Sequence, residues 1–145
     1  MKTFFAIVTL ALLFLPPIAF GAPSEECPTL SAESGIDWTH QQGPDFEVCF
    51  ATDSRTHKDL FGIYHGRYPQ FSVDDAKVVG SGVLAGKTIK WYRSTSESED
   101  SRFRRQTIVQ LTDGMVLHIW ISADTDSGIQ KAVDAVTQMK LPRHW

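Results

Sequence analysis

The chain has 145 residues, with 14 Lys and Arg against 17 Asp and Glu, for a formal charge of −3 and an aromatic content of 11%. A weakly acidic chain with scattered basic residues has no phosphate-tracking stripe, which excludes nucleic acid as the expected partner. Arg102, Arg104 and Arg105 cluster, but they follow the acidic run ESED.

The first residues, MKTFFAIVTLALLFLPPIAFG, carry one cation at Lys2 and then an apolar run broken by Pro16 and Pro17. A basic start, an apolar middle and a small-residue exit predict a secretory signal peptide over residues 1–21. Ala19 and Gly21 then stand at −3 and −1 of the cleavage point. Cleavage after Gly21 takes the charge to about −4 and leaves a single domain by ordinary size priors. No later apolar run reaches the ~20 residues of a membrane span. The expected location is therefore secreted or periplasmic. The chain contains no asparagine, so it has no N-glycosylation site, which is compatible with a periplasmic home.

Residues 22–35, APSEECPTLSAESG, read as a polar arm, and residues 36–145 as the folded domain. Cys27 and Cys49 both lie in the exported part, and two cysteines in an oxidising compartment most simply form one disulfide. Their spacing is not the C-x-x-C of a redox or metal pair.

DFEVCFA alternates, with Phe46, Val48 and Phe50 on one face and Glu47, Cys49 and Ala51 on the other, as in a half-buried strand. After the turn TDSRTHKD comes LFGIYHGRYPQF. As a strand it puts Phe61, Ile63, His65 and Arg67 on one face. Leu60, Gly62, Tyr64, Gly66 and Tyr68 take the other, and Pro69 ends the ladder. AKVVGSGVLAGKTIKWYRS reads as a hairpin turning at Ala85-Gly86. Leu84 then faces Lys87, Gly82 faces Ile89 and Gly80 faces Trp91, so that an indole covers a strand glycine. STSESEDS reads as a solvated loop.

RFRRQTIVQLTDGMVLHIWIS carries a hairpin signal at Asp113-Gly114. A two-residue turn pairs Thr112 with Met115. Ile108, Met115, Leu117, Ile119 and Ile121 then form a core face; Arg105, Val109, Leu111, Val116, His118 and Trp120 share the amphipathic one. A helix closes the chain. Ser127 and Gln130 fit a capping box, and Ile129, Ala132, Val133, Val136 and Met139 form an apolar stripe that ends before Pro142. The expected class is α+β: about six mostly antiparallel strands with a C-terminal helix packed on them.

Catalytic and metal patterns are weak. The five histidines (His40, His57, His65, His118 and His144) include no pair at the spacing of a helical zinc site. DTDSG at 124–128 begins like a calcium loop but has Ala135 where the bidentate Glu belongs. GSGVLAG opens a strand rather than a helix, which removes the anion site a dinucleotide fingerprint needs. Ser81 lacks the G-x-S-x-G context of a nucleophile elbow, serines 94, 96, 98 and 101 sit in a charged loop without a paired base, and the carboxylates at Asp74-Asp75 and Glu97–Asp100 sit in polar turns. No cofactor or metal is expected.

The order DFEVCFA, GKTIKWYR, then GMVLHIWISA running into GIQKAVDAVTQMKL resembles the PsbP-like fold group, over about residues 45–141. That resemblance implies an α/β/α sandwich and a non-enzymatic, protein-associated role. It carries no functional residues onto this chain.

The functional expectation is an exported, disulfide-bonded, non-catalytic module that binds another protein, for example a periplasmic inhibitor or immunity-type protein. Its candidate contacts are Tyr64, His65, Arg67, Tyr68, Trp91, His118 and Trp120, because Tyr, Trp and Arg anchor protein interfaces. The alternative is a small-ligand binder or hydrolase with a pocket between helix and sheet. It requires His65, His118 and a carboxylate to lie within hydrogen-bond reach of one another.

Overall fold

In the computed structural model, residues 26–74, 76–94 and 104–145 are described. The expected signal peptide, the first residues of the arm, Asp75, and the serine- and acid-rich stretch 95–103 with Arg102 lie outside them. Seven strands form one antiparallel sheet: β1 (Ile36–Gln42), β2 (Phe46–Asp53), β3 (Asp59–Gly66), β4 (Ala76–Leu84), β5 (Lys87–Ser94), β6 (Arg105–Gln110) and β7 (Val116–Ile121). One helix, α1 (Asp126–Gln138), follows. The strands lie in the order β1-β2-β3-β7-β6-β5-β4. The chain leaves β3 for the far edge and works back strand by strand until β7 pairs with β3.

The class is α+β as expected, with one strand more. The addition is β1, IDWTHQQ, an edge strand antiparallel to β2. Ile36 and Trp38 alternate inward and pack against the core, while three polar residues close the run and mute its signal. The helical cover lies on one side: α1 packs against β3, β4 and β7. Among the described residues no second helix covers the other face, so the two helical layers of an α/β/α sandwich are not seen there.

Several local rules act as the sequence suggests. Ala85 and Gly86 both take positive φ, 48° and 79°, as a two-residue hairpin turn requires. They set the expected pairs Leu84 with Lys87, Gly82 with Ile89 and Gly80 with Trp91. The indole of Trp91, however, covers Gly82 rather than Gly80, where a Cβ would meet nothing within 4 Å. An irregularity between Val78 and Gly80 shifts the strand edge beyond it.

The second hairpin differs by one residue. Thr112–Gly114 form a single 3-10 turn, with Asp113 and Gly114 at positive φ, and the Leu111 N–H donates to the Met115 carbonyl at 2.9 Å. A three-residue loop pairs Ile108 with His118 and Val109 with Leu117. This slip turns β6 over. Ile108 and Gln106 join the face of His118 and Trp120, whereas Val109 and Arg105 join that of Leu117 and Ile121.

The helix cap also shifts. Thr125 rather than Ser127 is the N-cap, its hydroxyl accepting from the Gly128 N–H at 3.1 Å. Ala132, Ala135, Val136 and Met139 meet Phe61, Ile63, Leu117, Ile119, Ile121, Ile89 and Trp91 in the core. Leu60 joins them, because a bulge opposite Ala51 and Thr52 takes it out of simple alternation with Phe61. From the helix, Lys131 donates to Asp53 and, at 3.4 Å, to the Gly35 carbonyl. Asp53 also accepts from the backbone N–H groups of Arg55 and Thr56 at 3.0 and 2.9 Å. The Lys131 ammonium and these two amides hold its carboxyl well below the usual range.

The arm is also fastened nearer its start. Cys27 and Cys49 form a disulfide with Cα atoms 5.8 Å apart, and Thr29 exchanges backbone hydrogen bonds with Lys140. Both cysteines are buried. The disulfide fits an exported protein. Among the described residues no helix is long and apolar enough to cross a membrane.

Replacing both cysteines with alanine is expected to lower unfolding free energy by about 3 kcal/mol, from a closed loop of 22 residues. Thr125→Ala should cost about 1 kcal/mol by removing the helix cap. Urea titration checks both; an unchanged midpoint in the double cysteine variant would show that the bridge adds nothing to stability.

Candidate functional site

Alternation along β3 separates two environments. His65 pairs with Leu117, on the helix side of the sheet, and Tyr64 pairs with His118, on the open side. The two histidines that a helix-side pocket would need therefore project from opposite faces. The hydrolase geometry is not formed.

On the helix side, His65 is enclosed by the end of the chain. The Trp145 ring stacks on it with centroids 5.0 Å apart. Trp145 Nε1 donates to Glu47 Oε2 at 2.7 Å, and His144 Nε2 lies 3.1 Å from the same oxygen. Burial pushes the His65 imidazole down. Trp91 is likewise buried, against Gly82 and the core. Arg67 is exposed, but its Nη1 donates to the Asp113 carbonyl at 2.8 Å and braces the β6–β7 turn. Of these three expected contact residues, His65 and Trp91 are buried and Arg67 is hydrogen-bonded to a turn.

The other four meet on the open face. Tyr64, Tyr68, His118 and Trp120 line a groove of about 670 Å³. Phe46, Val48 and Phe50 of β2 complete it, with Asp45 and Gln70 at its polar margin. The larger apolar face of β2 thus points away from the helix, and the side bearing Cys49 and Ala51 is the buried one. The segment FGIYHGRYPQF divides in the same way. Its strand sends Phe61 and Ile63 into the core, and its end folds back over the open face. Phe71 stacks on His118 with centroids 5.5 Å apart and planes inclined 14°.

Close backbone approach shapes the groove floor. A Cβ on Gly62 would overlap the benzo ring of Trp120, its cross-strand partner. The indole therefore lies down on the strand, as an aromatic covering a glycine does. Tyr64 lies along its own strand over Gly66 in the same manner, its hydroxyl accepting from the Tyr68 N–H at 3.1 Å. Phe46 stacks against Tyr64 with centroids 5.8 Å apart. Phe50 meets Trp120 at a steep angle, 75° between planes, and forms a wall.

His118 fills the back of the groove. Its ring lies between Phe71 and Trp120, and Nε2 is 2.9 Å from Gln106 Oε1. Burial pushes its imidazole down to about 4, so at neutral pH it is a neutral, bonded ring. Among the described residues no three His, Cys, Asp or Glu side chains are placed to hold a metal ion. The groove offers ring faces and a few rim polar groups.

Sequence reasoning found the aromatic members of β3 and β7. It missed Phe46, Val48 and Phe50 as groove residues, since alternation alone does not say which side of a strand the helix covers. No family model matches the chain, and no curated protein and no solved structure matches it.

The depressed basicity of His118 has a definite sign. From its ordinary value near 6.5 down to about 4, the unfolded chain takes up a proton that the native ring refuses. Stability is therefore expected to fall as pH drops through that window. His118→Gln should narrow the difference in urea-unfolding free energy between pH 7 and pH 5. An undiminished difference would assign the acid sensitivity to other groups, with His65 the first of them.

Proposed function

We propose that the protein is an exported, non-catalytic binding module that takes another protein on the aromatic open face of its sheet. The observation that carries this reading is the convergence of Phe46, Tyr64, Tyr68 and Trp120 in one groove on the face away from α1. Tyr68 is 73% exposed and Phe46 37% exposed, although each has the area to bury fully. A contiguous exposed apolar surface with a polar margin marks an interaction site more often than a solvated face.

Export rests on the predicted leader over residues 1–21 and on the Cys27–Cys49 bridge. The similarity of element order to the PsbP-like fold group points toward association with proteins. An inhibitor or immunity-type role is a specific form of the same reading.

Capture from an envelope extract by immobilised protein, read by mass spectrometry, tests it. Tyr68→Ala and Phe46→Ala should each reduce recovery of a specific partner by about tenfold or more, as interface anchors do. Tyr68→Ala should leave unfolding free energy within about 0.5 kcal/mol of the parent, the usual range for an exposed position. Recovery that ignores both substitutions would remove the groove from consideration.

A further inference from the structure

The groove's own chemistry narrows its occupant, on the premise of the preceding reading that it is the binding face. The trough is floored by rings and left open above: Trp120 lies on Gly62, Tyr64 lies on Gly66, and Tyr68 stands exposed at the margin. A small molecule is ordinarily enclosed on most of its surface by its site. This trough encloses little and suits a length of chain.

The kind of chain follows from what the floor can give. Strand addition needs an unpaired sheet edge. The groove instead lies over β2, β3 and β7, each flanked by a strand on both sides, so their backbone groups are committed to the ladders. A guest there is held by side chains alone. A polyproline II segment asks for that: flat ring faces to receive its prolines, and donors for carbonyls that make no bonds within the helix. The Tyr64 oxygen accepts from the Tyr68 amide and leaves its own proton to donate. The Tyr68 hydroxyl and the Gln70 amide supply further donors at the rim.

An oligosaccharide would stack on the same rings, but each of its hydroxyls needs a polar partner. The floor has few, and His118 Nε2 is already engaged by Gln106. Charge adds direction. Among the described residues that line the groove, Asp45 is the only carboxylate and none is Lys or Arg. The whole chain carries −3.

We propose that the groove binds a proline-rich segment of a partner protein in polyproline II conformation, with a basic residue beside the proline run seated against Asp45. The test is a titration of the 15N-labelled protein, following the indole N–H resonance of Trp120, assigned by its loss in Trp120→Phe. Four probes are compared: a decaproline peptide ending in arginine, the same peptide ending in glutamate, an amphipathic leucine–lysine helix, and a β-1,4-linked glucose hexamer.

The arginine peptide should shift that resonance saturably. The glutamate peptide should bind about two- to fivefold more weakly, the scale of one exposed charge pair. Tyr68→Ala should weaken the arginine peptide by about tenfold or more. If the helix or the glucan moves the Trp120 signal and decaproline does not, the occupant is wrong while the groove stands. If no probe moves it, the proposal is overturned, and the Phe46 and Tyr68 capture variants decide separately whether the groove binds anything.

Discussion

The pairing of β3 with β7 is the constraint on which the rest of the molecule depends. It joins the β1-β2-β3 meander to the β4–β7 meander at the centre of one sheet. Its register decides which side chains share a side. With Ile63 opposite Ile119, the aliphatic residues meet beneath α1; with Tyr64 opposite His118 and Gly62 opposite Trp120, the rings meet on the reverse. Core and groove are two sides of the same ladder. A one-residue slip there would exchange them, exposing the isoleucines and burying the polar ring atoms.

One helix for two faces, among the described residues, explains the unusual use of β2. The helix side is further closed by the arm, by Trp38 packing edge-on against Phe61, and by Trp145 over His65. Next to this crowded layer β2 presents a disulfide half, an alanine and the Glu47 that anchors the chain end. Its phenylalanines are left for the open face. Partial shelter comes from within the chain, since the loop after β3 returns to lay Phe71 on His118. That shelter stops short of Tyr68 and Phe46, and the groove begins where it stops.

Much of this was legible in the residues wherever the determinant is local. Ala85-Gly86 fixes a hairpin register that can be counted, and the stripe from Ile129 to Met139 identifies the helix and its buried side. Asp113-Gly114 identifies a turn but not its length, and the extra loop residue turns Ile108 and Val109 over. The strand β1 was hidden because an edge strand needs only two inward apolar residues, Ile36 and Trp38, to pay its way. Of the candidate contacts, Tyr64, Tyr68, His118 and Trp120 come together, while His65, Trp91 and Arg67 serve packing and bracing. What separates these groups is non-local: which face α1 covers, where Trp145 lands and where the segment after Pro69 folds back. Composition and period carry none of that.

The indole lying on Gly62 has a consequence for how such a sequence can drift. The glycine has no side chain because the ring occupies its place, and the ring lies flat because the glycine permits it. Neither position is free to wander alone. Diverged copies of this chain should retain glycine and tryptophan together or abandon both at once, leaving a correlated pair of columns 58 positions apart. Such a trace would mark the β3–β7 register, and with it the floor of the groove, in sequences too distant to align by their cores.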